Sequence, residues 1–146
     1  MDNPLDQYSK PAKQEDTKLS TIYWLHARDS RKGRLWMPIF DQRFPFKFDV
    51  KFSYISKFLE KDNVAGNHYH NIKQEILIPL QGSFDFTLED VQTKEREVIP
   101  LNADDHKAIY IKTGISHSVR SKEDTGILLV LASNNSRVDD EVEYEV

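Results

Sequence analysis

The feature that limits the fold most is a period of two. Phe46, Phe48, Val50, Phe52 and Tyr54 alternate with Lys47, Asp49, Lys51 and Ser53. Successive side chains of an extended chain leave opposite faces, so this stretch predicts a half-buried strand with one apolar and one polar face. The alternation returns at Phe84, Phe86 and Leu88 against Asp85, Thr87 and Glu89. Apolar runs at 22–25, 35–40, 98–101, 108–111 and 126–132 are separated by polar or glycine-bearing turns. No segment joins an apolar stripe at helical spacing to a cap. Eight or more short strands without interposed helices predict an all-β chain, an antiparallel sandwich or barrel.

The turns carry further expectations. Runs 22–25 and 35–40 read as a hairpin across the charged segment 28–34, and Gln81-Gly82-Ser83 reads as a second hairpin turn. The charged run 89–97 reads as a solvated hairpin tip. The unbroken apolar run 126–132 suits a strand covered on both faces. Residues 1–18 are polar and aperiodic and predict a flexible lead-in, 19–135 form the domain, and 136–146 form an acidic tail loose at its end.

With 146 residues, the chain fits one domain. Charged residues reach 30%, yet eight Phe, six Tyr and two Trp supply the bulk for a compact interior. A net charge of -4 argues against nucleic acid as partner. Cysteine is absent, which fits a reducing compartment. The first residues lack a basic start with an apolar run, and no apolar stretch approaches the roughly 18 residues that span a bilayer. The expectation is a soluble, cytoplasmic protein with no membrane partner.

Candidate chemistry sits in residues 66–82. His68 and His70 stand two apart, so both imidazoles leave one face of a strand; Glu75 follows, then Gly82. A second patch brings His117 just after Gly114. Three imidazoles and a carboxylate suit a divalent metal that accepts nitrogen and oxygen, and equally a proton-transfer site. His26 and His106 read as surface or turn residues, and Tyr69, pointing away from its flanking histidines, as packing or interface.

These residues carry a resemblance. The order and spacing of His68, His70, Glu75 and Gly82, with Gly114 and His117, resemble the two cupin motifs, with Lys112 where the second motif usually has proline. The resemblance implies a jelly-roll β-barrel of the RmlC-like cupin type. Beyond the motif, the segments 29–35, 44–55, 66–70 and 127–133 resemble the nucleotide-sugar 3,4-ketoisomerases of the WxcM-like family. That resemblance implies a homodimer acting on a dTDP-linked 4-keto-6-deoxyhexose, with no cofactor required. It further implies His68 as catalytic base, His70 as its partner, and an enediol intermediate.

The chain departs from that family at named positions. Ala65 stands where the family has arginine, Glu75 where it has glutamine, and Ser53 where it has a pocket tyrosine. Tyr54 is one step along and on the opposite strand face, so Ser53 and Tyr54 are both candidates to touch substrate. Arg34 and Arg120 are candidate phosphate ligands, with Arg43 as a further one. His68, His70, Glu75 and His117 together resemble instead the zinc-holding cupin domain of capsular-polysaccharide reductase and epimerase enzymes. That likeness implies a bound Zn, Mn, Fe or Ni ion. The alternatives are therefore a metal-dependent epimerase or oxygenase and a non-catalytic sugar-binding cupin.

Overall fold

The computed structural model describes residues 5–40, 47–135 and 137–146. Two antiparallel sheets pack face to face. The first orders its strands β1 (Lys13–Asp16), β2 (Thr21–Trp24), β10 (Lys107–Ile111), β7 (Glu75–Gln81), β12 (Gly126–Ala132) and β5 (Phe52–Phe58). The second orders β13 (Glu141–Glu143), β6 (Val64–His70), β11 (Ile115–Ser121), β8 (Ser83–Asp90) and β9 (Arg96–Asn102). A small hairpin, β3 (Arg28–Asp29) with β4 (Leu35–Trp36), stands apart. The all-β jelly roll expected from the sequence is the fold, and no α-helix occurs among the described residues.

The main core lies between the sheets. Phe84, Phe86 and Leu88 point inward from β8, Ile109 and Ile111 from β10, Val119 from β11, and Leu128 and Val130 from β12. A second apolar layer covers the outer side of the first sheet: Tyr23, Ile76, Ile78 and Leu131 meet Met37, Ile39, Phe48 and Val50. Strands β7 and β12 are therefore apolar on both faces, which is why 126–132 shows no alternation.

Several local expectations are corrected. The stripe 46–54 becomes strand only from Phe52, and Phe48 and Val50 use their alternation to cap the second layer as irregular chain; Phe46 lies outside the described residues. Runs 22–25 and 35–40 do not pair with each other. β2 sits between β1 and β10, and the hairpin forms inside the charged segment, closed by Arg31, Lys32 and Gly33, all at positive φ. Gln81-Gly82-Ser83 is no hairpin turn, because β7 and β8 belong to different sheets. Gly82, at φ +88° with Thr125 O 2.8 Å from where a Cβ would stand, lets the chain bend across the corner. The tip at 89–97 is as expected, with Asp90 accepting from the amides of Gln92 and Thr93. The lead-in supplies β1, and the acidic tail supplies β13, paired to the histidine strand.

Candidate active site and metal centre

A bulge aims the two motif histidines. On β6, Ala65 faces the core, and simple alternation would next bring Asn67 and Tyr69 inward. Between His117 and Ser118 of β11, however, the pairing jumps from His68 to Gly66, leaving Asn67 as an extra residue. Gly66 and Asn67 take φ +97° and +60°. That inserted residue reverses the parity, so His68 and His70 turn inward. His117 keeps the inward parity of Ile115 and Val119, and Glu75 enters from the facing sheet at the start of β7. Three strands from both sheets thus build the quartet.

The four side chains converge. One ligand atom from each of His68, His70, Glu75 and His117 lies within 4.8 Å of every other. The ring centroids of His68 stand 4.8 Å from those of His70 and 5.0 Å from those of His117. Glu75 Oε1 is 3.4 Å from His70 Nε2 and 3.4 Å from His117 Nε2. Those separations exceed the usual N–H···O range of about 2.7–3.2 Å, and both ring nitrogens of His70 lack a hydrogen-bond partner. Ligand bonds of about 2.0–2.2 Å at near-tetrahedral angles put neighbouring donors roughly 3.3–3.6 Å apart. The inner donors therefore fit a divalent cation.

The surroundings set the charges. Glu75 is 3% exposed. Burial penalises its charge, but the imidazoles of His117 and His70 and the Lys73 ammonium outweigh that and hold it well below the ordinary carboxylate range. Tyr54 donates to Glu75 Oε2 at 3.1 Å, and burial with the facing carboxylate pushes its own pKa up. Burial, then the neighbouring His117 and His70, lowers His68 from 6.5 to about 4, so it is a neutral base at ordinary pH. His68, Tyr54, Glu75 and His117 line a cavity of about 190 Å³, together with Ser56, Ala65 and apolar residues of the core.

The remaining candidates are dispersed. Tyr54 shares the inward parity of Ser56 and Phe58, whereas Ser53 pairs with Leu131 on the outer side and is exposed; the expected assignment of faces is reversed. Arg120 points outward and grips Asp62 through Nε and Nη2 at 3.0 and 2.9 Å. Arg34 lies on the small hairpin and donates to Ser30. Arg43 is outside the described residues. Two residues were missed. Lys73 is 3% exposed and 3.8 Å from Glu75 Oε2, and Asp140 is 4% exposed beside His70. A lysine in a loop and an aspartate in a charge run carry no sequence signal of burial.

Two wrapped antiparallel sheets closing on an inward His/His/Glu/His set define a jelly-roll cupin. The family model described as "FdtA: WxcM-like, C-terminal" matches residues 16–145, and the chain belongs to that family. No curated protein matches it. Among solved structures it is similar to the sugar 3,4-ketoisomerase QdtA of Thermoanaerobacterium thermosaccharolyticum in complex with TDP, at 26% identity and TM-score 0.74 over 86% of this chain and 88% of that one. It is similar in fold to the TDP-fucose-3,4-ketoisomerase WlaRA of Campylobacter jejuni, at 23% identity and TM-score 0.71 over 85% and 88%. The dTDP-4-dehydrorhamnose 3,5-epimerase of Bacillus anthracis shares the fold at 13% identity and TM-score 0.80, over 90% and 82%.

Proposed function

We propose that the protein is a sugar-nucleotide isomerase or epimerase acting on a dTDP-linked 4-keto-6-deoxyhexose. The observation that carries this is a neutral imidazole, His68, opening on the cavity with His117, Glu75 and Tyr54 around it, in a chain of the WxcM-like family. A histidine-to-asparagine mutant of QdtA, at 25% identity, was solved in complex with TDP-4-keto-6-deoxyglucose. His68 takes the proton from the carbon beside the ketone while the ketone oxygen gains one, giving an enediol. Return of a proton to the former carbonyl carbon, with loss of the neighbouring hydroxyl proton, moves the ketone by one position. Among the described residues no Arg or Lys lines the cavity. In this reading the diphosphate is held outside it, with Arg34 and Arg120 as the candidates. In this reading the protein is a cytoplasmic homodimer; Ile55, 59% exposed on the edge strand β5, supports a second copy there.

His68→Asn is the direct test. Wild type should convert a dTDP-linked 4-keto sugar and exchange the adjacent carbon-bound hydrogen with deuterated solvent, and the variant should lose about 10²–10⁴-fold in rate. A wild type without turnover removes the proposal and leaves a non-catalytic cupin.

A second reading is favoured by the 3.4 Å donor separations. His68, His70, Glu75 and His117 would then hold a divalent ion, with Zn, Mn, Fe and Ni all compatible with the donor set. Such an ion supplies polarisation of a carbonyl or an activated water. Metal analysis of protein purified without nickel affinity or chelator decides whether the site is loaded. Full turnover by metal-free protein excludes a required ion.

A further inference from the structure

The residue that aims His68 is held from outside the sheet. Asn67, inserted on β6 opposite β11, stands outside the pairing register, and an inserted residue has no ladder partner for its own polar groups. The segment that follows β13 supplies them. Tyr144 N–H donates to the Asn67 carbonyl at 2.9 Å, and Val146 N–H donates to Asn67 Oδ1 at 3.1 Å. The Tyr144 carbonyl in turn accepts from Ser116 Oγ at 2.6 Å. Ser116 is 0% exposed and directly precedes His117, as Asn67 directly precedes His68. Tyr144 thus ties the two histidine strands together just before each histidine. Its ring lies 6.0 Å from that of Tyr69, and its hydroxyl meets Glu89 and Lys94, so the segment crosses the outer face of the second sheet from β6 to β8.

Where the extra residue sits decides which way His68 points. Moving the insertion past His68 would reverse the parity there and turn the ring to the outer face. The amides of Tyr144 and Val146 meet the two oxygens of Asn67 and so favour that position over its neighbours. We infer that residues 144–146 are a positioning strap: they pin the insertion at Asn67 and, through Ser116, hold the neighbouring strand against it. The rings of His68 and His117 are thereby kept edge to face inside the barrel, their centroids 5.0 Å apart. The strap's role rests on the reading that puts His68 and His117 in the site, and it gives the acidic tail a part in building that site.

A proline separates the backbone link from the side chain. Tyr144→Pro removes the N–H that meets Asn67 and keeps the carbonyl that meets Ser116, and Glu143 before it is already extended in β13, as proline requires. Tyr144→Ala removes the same ring but keeps the N–H. The full chain, labelled with 13C and 15N, is studied by amide hydrogen exchange and by nuclear Overhauser cross-peaks between histidine rings. Denaturant unfolding is recorded separately, because a variant that is only less stable keeps its native ring contacts. Wild type should show slow exchange at the Tyr144 and Val146 amides and a cross-peak between His68 and His117. Tyr144→Ala should keep that cross-peak and Tyr144→Pro should lose it. In the proposed reaction, kcat of Tyr144→Pro should fall about 10²-fold below that of Tyr144→Ala, with a smaller change in KM. Fast exchange at both amides in wild type overturns the inference and needs no variant to fold. A cross-peak kept in folded Tyr144→Pro, or lost equally from Tyr144→Ala, also overturns it. A wild type without sugar turnover removes the proposed reaction and leaves the ring-contact result standing.

Discussion

Among the described residues Glu75 is the one acidic side chain lining the cavity, and the two readings of the site differ in what it does. As a metal ligand it is required. As the neighbour of a histidine base it tunes charge, and glutamine, the residue the ketoisomerase resemblance puts at this position, can take its place. Glu75→Gln is therefore expected to keep sugar turnover, with a loss smaller than the roughly 10²-fold that removing an acid/base group costs. In the metal reading, divalent-metal binding should be lost in the same variant. Stability should fall by about 3 kcal/mol, because the buried Lys73 ammonium loses the carboxylate 3.8 Å away. Chemical denaturation, Co²⁺ titration and a turnover assay check the three parts. The histidines and Glu75 were legible from spacing alone because a fixed motif places them. Lys73 and Asp140 were not, because what makes them matter is burial by distant chain.

At the scale of single strands, the bulge on β6 shows both how far pattern reading reaches and where it stops. The pair His68 and His70 share a face whatever the strand does, so the sequence places them together. Which face is core depends on Asn67 being inserted opposite β11, and no alternation announces that. The same limit explains Gly82: a glycine between two alternating runs fits a hairpin or a corner, and only the partners of β7 and β8 decide. Gly66 is the sensitive point. A Cβ there would stand 2.4 Å from the His117 carbonyl oxygen and 3.2 Å from Ser118 Cα, at φ +97°. Backbone atoms cannot swing aside, so Gly66→Ala should cost more than about 1 kcal/mol. It should also displace His117 from Glu75. Thermal unfolding checks the first effect and, in the metal reading, loss of Co²⁺ binding checks the second; a variant with wild-type stability would refute the bulge as drawn.

At the scale of the whole molecule, both chain ends that read as loose turn out to be sheet edges. All four residues of β1 are exposed, as are two of the three in β13. Such strands are held by backbone hydrogen bonds, so their sequence need not alternate and carries no apolar signature. The interior, by contrast, depends on a few large residues. Tyr23 is 0% exposed, and burial, then Tyr110 and Asp16, raises its pKa from 10.0 to about 12. Tyr110 and Tyr54 are shifted in the same direction. A folded-state pKa above the unfolded value means the folded form holds the proton more tightly. The stabilisation is then complete below pH 10 and is withdrawn as pH climbs toward 12, when the unfolded tyrosine has ionised and the buried one resists. For Tyr23 the rise from 10.0 to about 12 corresponds to about 3 kcal/mol. Denaturant unfolding at stepped alkaline pH should show stability falling over that interval. In Tyr23→Phe, which keeps the ring in the second apolar layer and removes the ionisable hydroxyl, the fall should be shallower by that amount. Equal slopes in the two proteins would mean that Tyr23 ionises freely and is not sealed beneath Met37, Ile39, Phe48 and Val50.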